Sequence, residues 1–83
     1  MANTVPIYNP SPTELDAVLL RVVRQANRPL SFREMEALVV LQGYDVSTFA
    51  FSRSADRLKE RGQLLHDDSF PHSYTAVKEA SPL

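Results

Sequence analysis

The chain has 83 residues, a formal net charge of −1 and no cysteine. This length predicts one domain with a small hydrophobic core, and the lack of cysteine excludes disulfides and thiolate metal sites. The charge is unlike the basic composition of many small nucleic-acid binders. No apolar run approaches the ~18 residues of a membrane span, and the first residues lack the pattern of a signal peptide. We therefore expect a soluble, unprocessed, cytoplasmic protein.

Residues 1–10 form the first segment, with two prolines and two asparagines that disfavour regular structure. Val5, Ile7 and Tyr8 nevertheless give it apolar surface. We interpret the segment as an arm that packs either on its own domain or on a second copy of the chain.

The first predicted helix starts at Ser11, where Pro12 suits the first turn and Glu14 completes a capping box. It runs to about Ala26 and ends before Pro29. Helical spacing assigns a buried stripe to Leu15, Val18, Leu19, Val22 and Ala26. The outward positions are Asp16, Ala17, Leu20, Arg21 and Arg24.

The second predicted helix starts with another capping box, formed by Ser31 and Glu34, and ends at Gly43. Its inner stripe is Phe32, Met35, Leu38 and Val39. Because Ala37, Val40 and Leu41 lie off that stripe, we expect this helix to sit between two neighbours. The short connection that follows predicts a helix-turn-helix arrangement.

The third predicted helix runs from about Ser47 to Arg61, and Gly62 suits a left-handed residue that ends it. Its predicted buried stripe is Thr48, Phe51, Ala55 and Leu58. The opposite face carries Phe49, Arg53, Asp56 and Glu60. Between residues 47 and 66, four basic side chains outnumber the two acidic ones.

The last predicted element is a β hairpin, with strands at 63–66 and 74–77 and a polar turn between them. Residues 78–83 show no periodicity and are expected to form a flexible tail. The sequence thus divides into an arm at 1–10, a domain at 11–77 and a tail at 78–83. The fold class is α+β, mainly α.

This order of elements resembles the winged helix-turn-helix superfamily, over roughly residues 12–77. The first matching segment is Arg28-Pro29-Leu30-Ser31 followed by Glu34, which is similar to the opening of the second helix in that superfamily. The second is Phe51-Ser52-Arg53, Leu58, Glu60-Arg61-Gly62 and Leu64-Leu65, which is similar to the end of a recognition helix and the first strand of a wing.

The resemblance implies a small DNA-binding transcription regulator that binds double-stranded DNA. We expect a homodimer, formed through the first helix and residues 1–10, because two copies would double the few basic contacts. Helix 47–61 would be its recognition helix, and 63–77 its wing. The implied base contacts are Ser47, Thr48, Ser52 and Arg53, with Arg53 suited to a bidentate guanine contact. The implied phosphate contacts are Arg57, Lys59, the helix start at Ser31, and Arg33.

Two alternatives to DNA binding remain open from the residues. Arg53 and Arg57 suit ordinary solvated helix charges, which contribute little. The chain also suits a protein-interaction module, since Asp67 and Asp68 make the wing acidic and the third helix mixes both charges. Its anchors would be Phe49, Phe70 and Tyr74, because aromatic residues are favoured at protein interfaces. Phe49 is equally interpretable as a small core residue under the wing.

Metal binding and catalysis have little support in the sequence. His66, His72 and the Asp67-Asp68 pair are possible ligand types, but nothing else fixes a third ligand, so we interpret them as polar hairpin residues. There is no glycine-rich phosphate loop, zinc-hydrolase helix motif or cysteine nucleophile. We therefore expect neither enzyme activity nor a metal or cofactor.

Overall fold

The computed structural model describes residues 9–69 and 72–77, which form three helices followed by a two-stranded sheet. The elements are α1 (Pro12–Ala26), α2 (Phe32–Leu41), α3 (Thr48–Glu60), β1 (Leu64–Asp67) and β2 (Ser73–Ala76). The predicted order and fold class are confirmed. Most of the predicted arm, and the predicted tail, lie outside the described residues.

Each helix begins where a serine accepts a hydrogen bond from a backbone N–H of the first turn. Ser11 Oγ accepts from Glu14 N–H at 3.2 Å, and Ser31 Oγ accepts from Glu34 N–H at 3.1 Å. Both glutamate carboxylates accept a hydrogen bond from the backbone N–H of the serine, so the two predicted capping boxes are confirmed. Ser47 caps α3 in the same way.

The end of α3 leads directly into the hairpin. Gly62 has a φ of 75°, in the left-handed region, as the sequence predicts. Its N–H donates to Lys59 O at 3.0 Å, while Gln63 N–H donates to Leu58 O at 2.9 Å. This pair of bonds is the Schellman arrangement, which satisfies the last helix carbonyls. The hairpin therefore leaves α3 in a defined direction.

The hydrophobic core lies between the three helices and the sheet, because α1 contacts α2, α3 and β2. Its largest fully buried side chains include Phe51, Leu19, Leu30, Met35 and Leu58. The prediction that Leu20 points outward is wrong, and Val23 is also buried. With neighbours on several sides, α1 buries a wider arc than one helical stripe.

The outer face of α2 is uncovered by the described part of the chain. Val40 is 50% exposed and Leu41 is 80% exposed. α2 contacts α1 and, through Phe32 and Phe51, α3, but the expectation that neighbours cover Val40 and Leu41 is wrong for the described part of a single copy.

The hairpin is also joined to the start of α2. In the antiparallel register, His66 pairs with Tyr74 and Leu65 pairs with Thr75. On its other side, Tyr74 forms a bridge with Leu30, with N–H to O distances of 2.7 and 2.9 Å. The sequence analysis missed this bridge, which ties the hairpin to the segment just before α2. Among the described residues, no helix combines the length and apolar character needed to span a membrane.

Candidate nucleic-acid interface

The exposed face of α3 is the surface on which the sequence analysis places base contacts. Phe49, Arg53, Asp56 and Glu60 are all exposed, as predicted. The Phe49 ring is 73% exposed, and Arg53 Cζ lies 5.7 Å from its centroid. Within residues 9–69 and 72–77, Arg53 forms no ion pair or hydrogen bond. Its guanidinium is therefore available to a ligand, and Phe49 is not covered by the described part of the hairpin.

The first turn of α3 differs from the prediction at Thr48. This residue is exposed, and its hydroxyl donates to Glu36 Oε2 on α2 at 3.1 Å. Ser54, which the prediction left off the stripe, is fully buried instead. Thr48 thus faces a side chain of α2 at the surface rather than the core. Ser52, the remaining predicted base contact, is partly buried at the edge of the exposed face.

Arg57, predicted to contact phosphate, instead binds a buried carboxylate on α1. Its Nε lies 2.9 Å from Asp16 Oδ2, and one terminal nitrogen lies 2.8 Å from Oδ1. Ser54 donates to Asp16 Oδ1 at 2.5 Å, and Arg61 lies 3.3 Å from Oδ2. Asp16 is only 3% exposed, so its predicted place on the wet side of α1 is wrong. These partners compensate the cost of burying the charge.

The environment of Asp16 favours its ionised form. Burial alone raises the pKa of the carboxyl, but the hydrogen bonds from Arg57 and Ser54 lower it. The positive charges of Arg57 and Arg61 lower it further, so that the pKa lies below its ordinary value. The same contact raises the pKa of Arg57. This group of residues, the Asp16 cluster, therefore joins α1 to α3 as a charged network.

The Asp16 cluster changes the net charge of the exposed face of α3. With Arg57 and Arg61 held by Asp16, Arg53 and Lys59 are balanced by Asp56 and Glu60. The excess of positive charge counted from the sequence is thus paired with the Asp16 carboxylate, although the Arg61 side chain stays 55% exposed.

The start of α2 is the second predicted phosphate-binding element. Ser31 N–H donates to Glu34 Oε1 at 2.9 Å, and Arg28 lies 3.2 Å from Glu34 Oε2. The hydrogen bond from Ser31 and the contact with Arg28 lower the pKa of Glu34. A phosphate at this helix end would meet a carboxylate. Arg33 is exposed and, within the described ranges, has no hydrogen bond or ion pair.

The hairpin places His66 and Tyr74 next to Lys59 of α3. Lys59 Nζ lies 3.4 Å from His66 Nδ1 and 3.9 Å from Asp56 Oδ1. The Tyr74 ring stacks on His66 at 4.4 Å and lies 6.4 Å from Phe32. Burial raises the pKa of Tyr74. Tyr74 thus supports the hairpin and offers only part of its ring as an anchor, while the predicted anchor Phe70 lies outside the described residues.

Comparison with known proteins gives one informative similarity. No protein-family model matches the chain, and no curated protein matches it. The fold is similar to a solved structure from work on the DNA recognition and protein interaction domains of HOP2 and its homologous DNA pairing. The TM-score is 0.67, with 19% sequence identity, over 76% of this chain and 98% of that chain.

The chain has a winged-helix fold. The hairpin formed by β1 and β2 is its wing, and α3 is the helix that precedes the wing. Ser47 caps α3, Thr48, Ser52 and Arg53 lie in its first two turns, and all four except Ser52 are exposed. Ser31 and Arg33 lie at the start of α2, where Ser31 and Glu34 line a groove together with the wing residues Asp67, Ser69 and His72.

Proposed function

We propose that this winged helix binds double-stranded DNA through the exposed face of α3, with Arg53 as the residue that reads a base. The observation that carries the proposal is the exposed Arg53 guanidinium, free of ion pairs among the described residues and next to Ser52. Arginine at such a position forms bidentate hydrogen bonds with guanine in the major groove. The similarity to a fold studied for DNA recognition supports this proposal.

The phosphate contacts in this proposal come from Arg33 and Lys59, since Arg57 is held by Asp16. Few basic groups make a single copy a weak binder. We further propose a transcription regulator that works in the cytoplasm as a homodimer, in which two copies double the contacts. Their half-sites would lie one helical turn apart, about 34–36 Å. The proposed dimer surface is formed by α1 and residues 1–10, and it does not include Leu20, which is buried.

The variant Arg53→Ala tests the reading residue. It should lower the affinity for a selected site by about 1–3 kcal/mol and relax base preference at one position. The matched control is Arg21→Ala, which removes the same charge from α1, where Arg21 contacts Gln42. The control should leave base preference unchanged. Equal base preference in Arg53→Ala and the parent chain would remove Arg53 from this role.

A second candidate function, a protein-interaction module, is favoured by Phe49. Its ring is 73% exposed and has the Arg53 guanidinium 5.7 Å from its centroid. An exposed aromatic ring paired with arginine, on a face of balanced charge, suits the centre of a protein interface. In this function the chain would bind and modulate a transcription or replication component without binding DNA.

The variant Phe49→Ser tests this second candidate. Because the ring is exposed, we expect the circular dichroism spectrum and stability to stay unchanged while partner capture in pull-downs is lost. Leu65→Ser is the matched control, since Leu65 is a 58% exposed apolar residue on the wing. Equal loss of capture in both variants would indicate nonspecific hydrophobic binding instead.

A further inference from the structure

Two histidines and an aspartate meet at the tip of the wing. His66 is a half-buried residue near the end of β1, and Asp68 and His72 lie on either side of the turn. One ligand atom from each of these three side chains can be chosen so that all lie within 4.8 Å of one another. The chain contains no other histidine. Both imidazoles of the chain therefore lie close together in the wing.

The distances within this group are close to those of a metal-ligand set. His72 Nδ1 lies 3.3 Å from His66 Nε2 and 3.9 Å from Asp68 Oδ1. In a tetrahedral zinc site, ligand atoms about 2.0–2.1 Å from the ion are about 3.3–3.4 Å apart. Asp68 Oδ1 lies 3.2 Å from the other ring nitrogen of His66, Nδ1, so the exposed Asp68 side chain must rotate toward His66 Nε2 to complete the set around one ion.

The wing holds one of the imidazoles in a defined orientation. His66 is paired with Tyr74 across the strands, and its ring lies parallel to the Tyr74 ring, at an interplanar angle of 3°. The His72 ring stacks on the His66 ring, with 5.4 Å between the two ring centroids. A pre-oriented ligand loses less conformational freedom when an ion binds.

We propose that His66, Asp68 and His72 bind one divalent transition-metal ion, with zinc as the reference ion. Imidazole nitrogen with a carboxylate oxygen suits zinc, nickel and copper, whereas magnesium and calcium prefer oxygen ligands alone. Three protein ligands leave a position of the ion open to water or to a group from a partner.

Lys59 is a neighbouring residue whose positive charge disfavours a bound cation. Its ammonium lies 3.4 Å from His66 Nδ1, so it places a positive charge beside the proposed site and competes for the imidazole. Removing this charge should strengthen metal binding. The wing itself is favourable, because Asp67 and Asp68 supply negative charge.

The test is zinc binding to the tag-free full chain, measured by competition with a chromogenic chelator and by calorimetry, without DNA. The variants are His72→Gln and Asp68→Asn, whose side chains are 59% and 84% exposed, so that folding is preserved. The control is Asp67→Asn, which removes the adjacent charge but lies outside the group. Magnesium is titrated as the hard-ion comparison.

The proposal expects one zinc ion per chain and no magnesium binding at the same concentrations. His72→Gln and Asp68→Asn should each weaken zinc binding at least about tenfold, a loss that even outer-shell partners of a metal can cause. Asp67→Asn should weaken zinc binding much less than either of these variants, because it removes a nearby charge but no ligand, and Lys59→Met should tighten zinc binding. Undetectable zinc binding, or equal affinity in the parent and His72→Gln, would overturn the proposal and leave a hydrogen-bonded pair of histidines. Since no DNA is present, either result is independent of the proposed DNA binding.

Discussion

Arg57 on α3 makes a two-pronged contact with the buried carboxylate of Asp16 on α1, at 2.8 and 2.9 Å. Arg53, one turn earlier on the same helix, faces solvent and the Phe49 ring. Two arginines that look alike in the sequence therefore have different roles. One holds the helices together, and the other is available to a ligand.

The first prediction separates these roles by stability. Arg57→Ala should lower the free energy of unfolding by about 2–3 kcal/mol, because it leaves the buried Asp16 charge with fewer partners. The loss stays below the largest values for broken buried pairs because Ser54 and Arg61 still contact the carboxylate. Arg53→Ala should change the free energy of unfolding by no more than about 0.5 kcal/mol. Urea unfolding measures both, and equal losses would contradict the assigned roles.

The second prediction concerns acid stability. The pKa of Asp16 is lower in the folded chain than its ordinary value of 3.8. The folded state therefore releases this proton more readily than the unfolded state, and stability falls as the pH drops through 3.8 and then through the lower folded pKa. Asp16→Asn removes this contribution.

The measurement is urea unfolding of the parent chain and Asp16→Asn between neutral pH and pH 3. Asp16→Asn should be less stable at neutral pH and should lose less stability on acidification. Glu34 and Asp67 also have lowered pKa values, so the variant should keep some acid sensitivity. Parallel acid curves for the two proteins would show that Asp16 is not the source.

The third prediction concerns the start of α2. Glu34→Gln keeps an oxygen that can accept from Ser31 N–H but removes the charge that would repel phosphate. It also releases Arg28 from its ion pair. DNA affinity should rise by roughly 0.3–1 kcal/mol, the effect of one charge at a helix end. The control is Glu14→Gln in the matching capping box of α1. An equal rise in the control would indicate an effect of net charge alone.

The fourth prediction joins the two proposals of DNA and metal binding. An ion at His66, Asp68 and His72 would offset the negative charge of the wing, so zinc should raise DNA affinity in the parent chain. In His72→Gln the same zinc concentration should have no effect. Fluorescence anisotropy with and without zinc measures this difference. Zinc binding without any change in DNA affinity would reject the coupling alone.

The helices could be predicted because their signals are local. The serine and glutamate of each capping box are three residues apart, and Gly62 marks the end of α3. The bridge between Leu30 and Tyr74 could not, since it joins backbone groups far apart in the chain. Leu20 shows the same limit, because its burial depends on how many elements surround α1.

Only part of the candidate site could be predicted, because spacing within a helix shows which residues share a face but not which distant residues they contact. Helical spacing placed Phe49, Arg53 and Asp56 on one exposed face, which the structure confirms. Spacing within α3 contains no information about Asp16, 41 residues before Arg57, so it could not distinguish Arg57 from Arg53. It also missed Ser54, a small polar residue that is fully buried and donates its hydrogen bond to Asp16.

The most direct test of the proposed function is the anisotropy of a labelled mixed-sequence duplex with the parent chain, at low and then moderate salt. The proposal predicts binding in the range of ordinary nonspecific contacts, about 10⁻⁴–10⁻⁶ M, weakening as salt rises. That result would justify selection of a preferred site and the Arg53→Ala comparison. A folded chain that binds at neither salt would contradict DNA binding and favour the protein-interaction surface at Phe49.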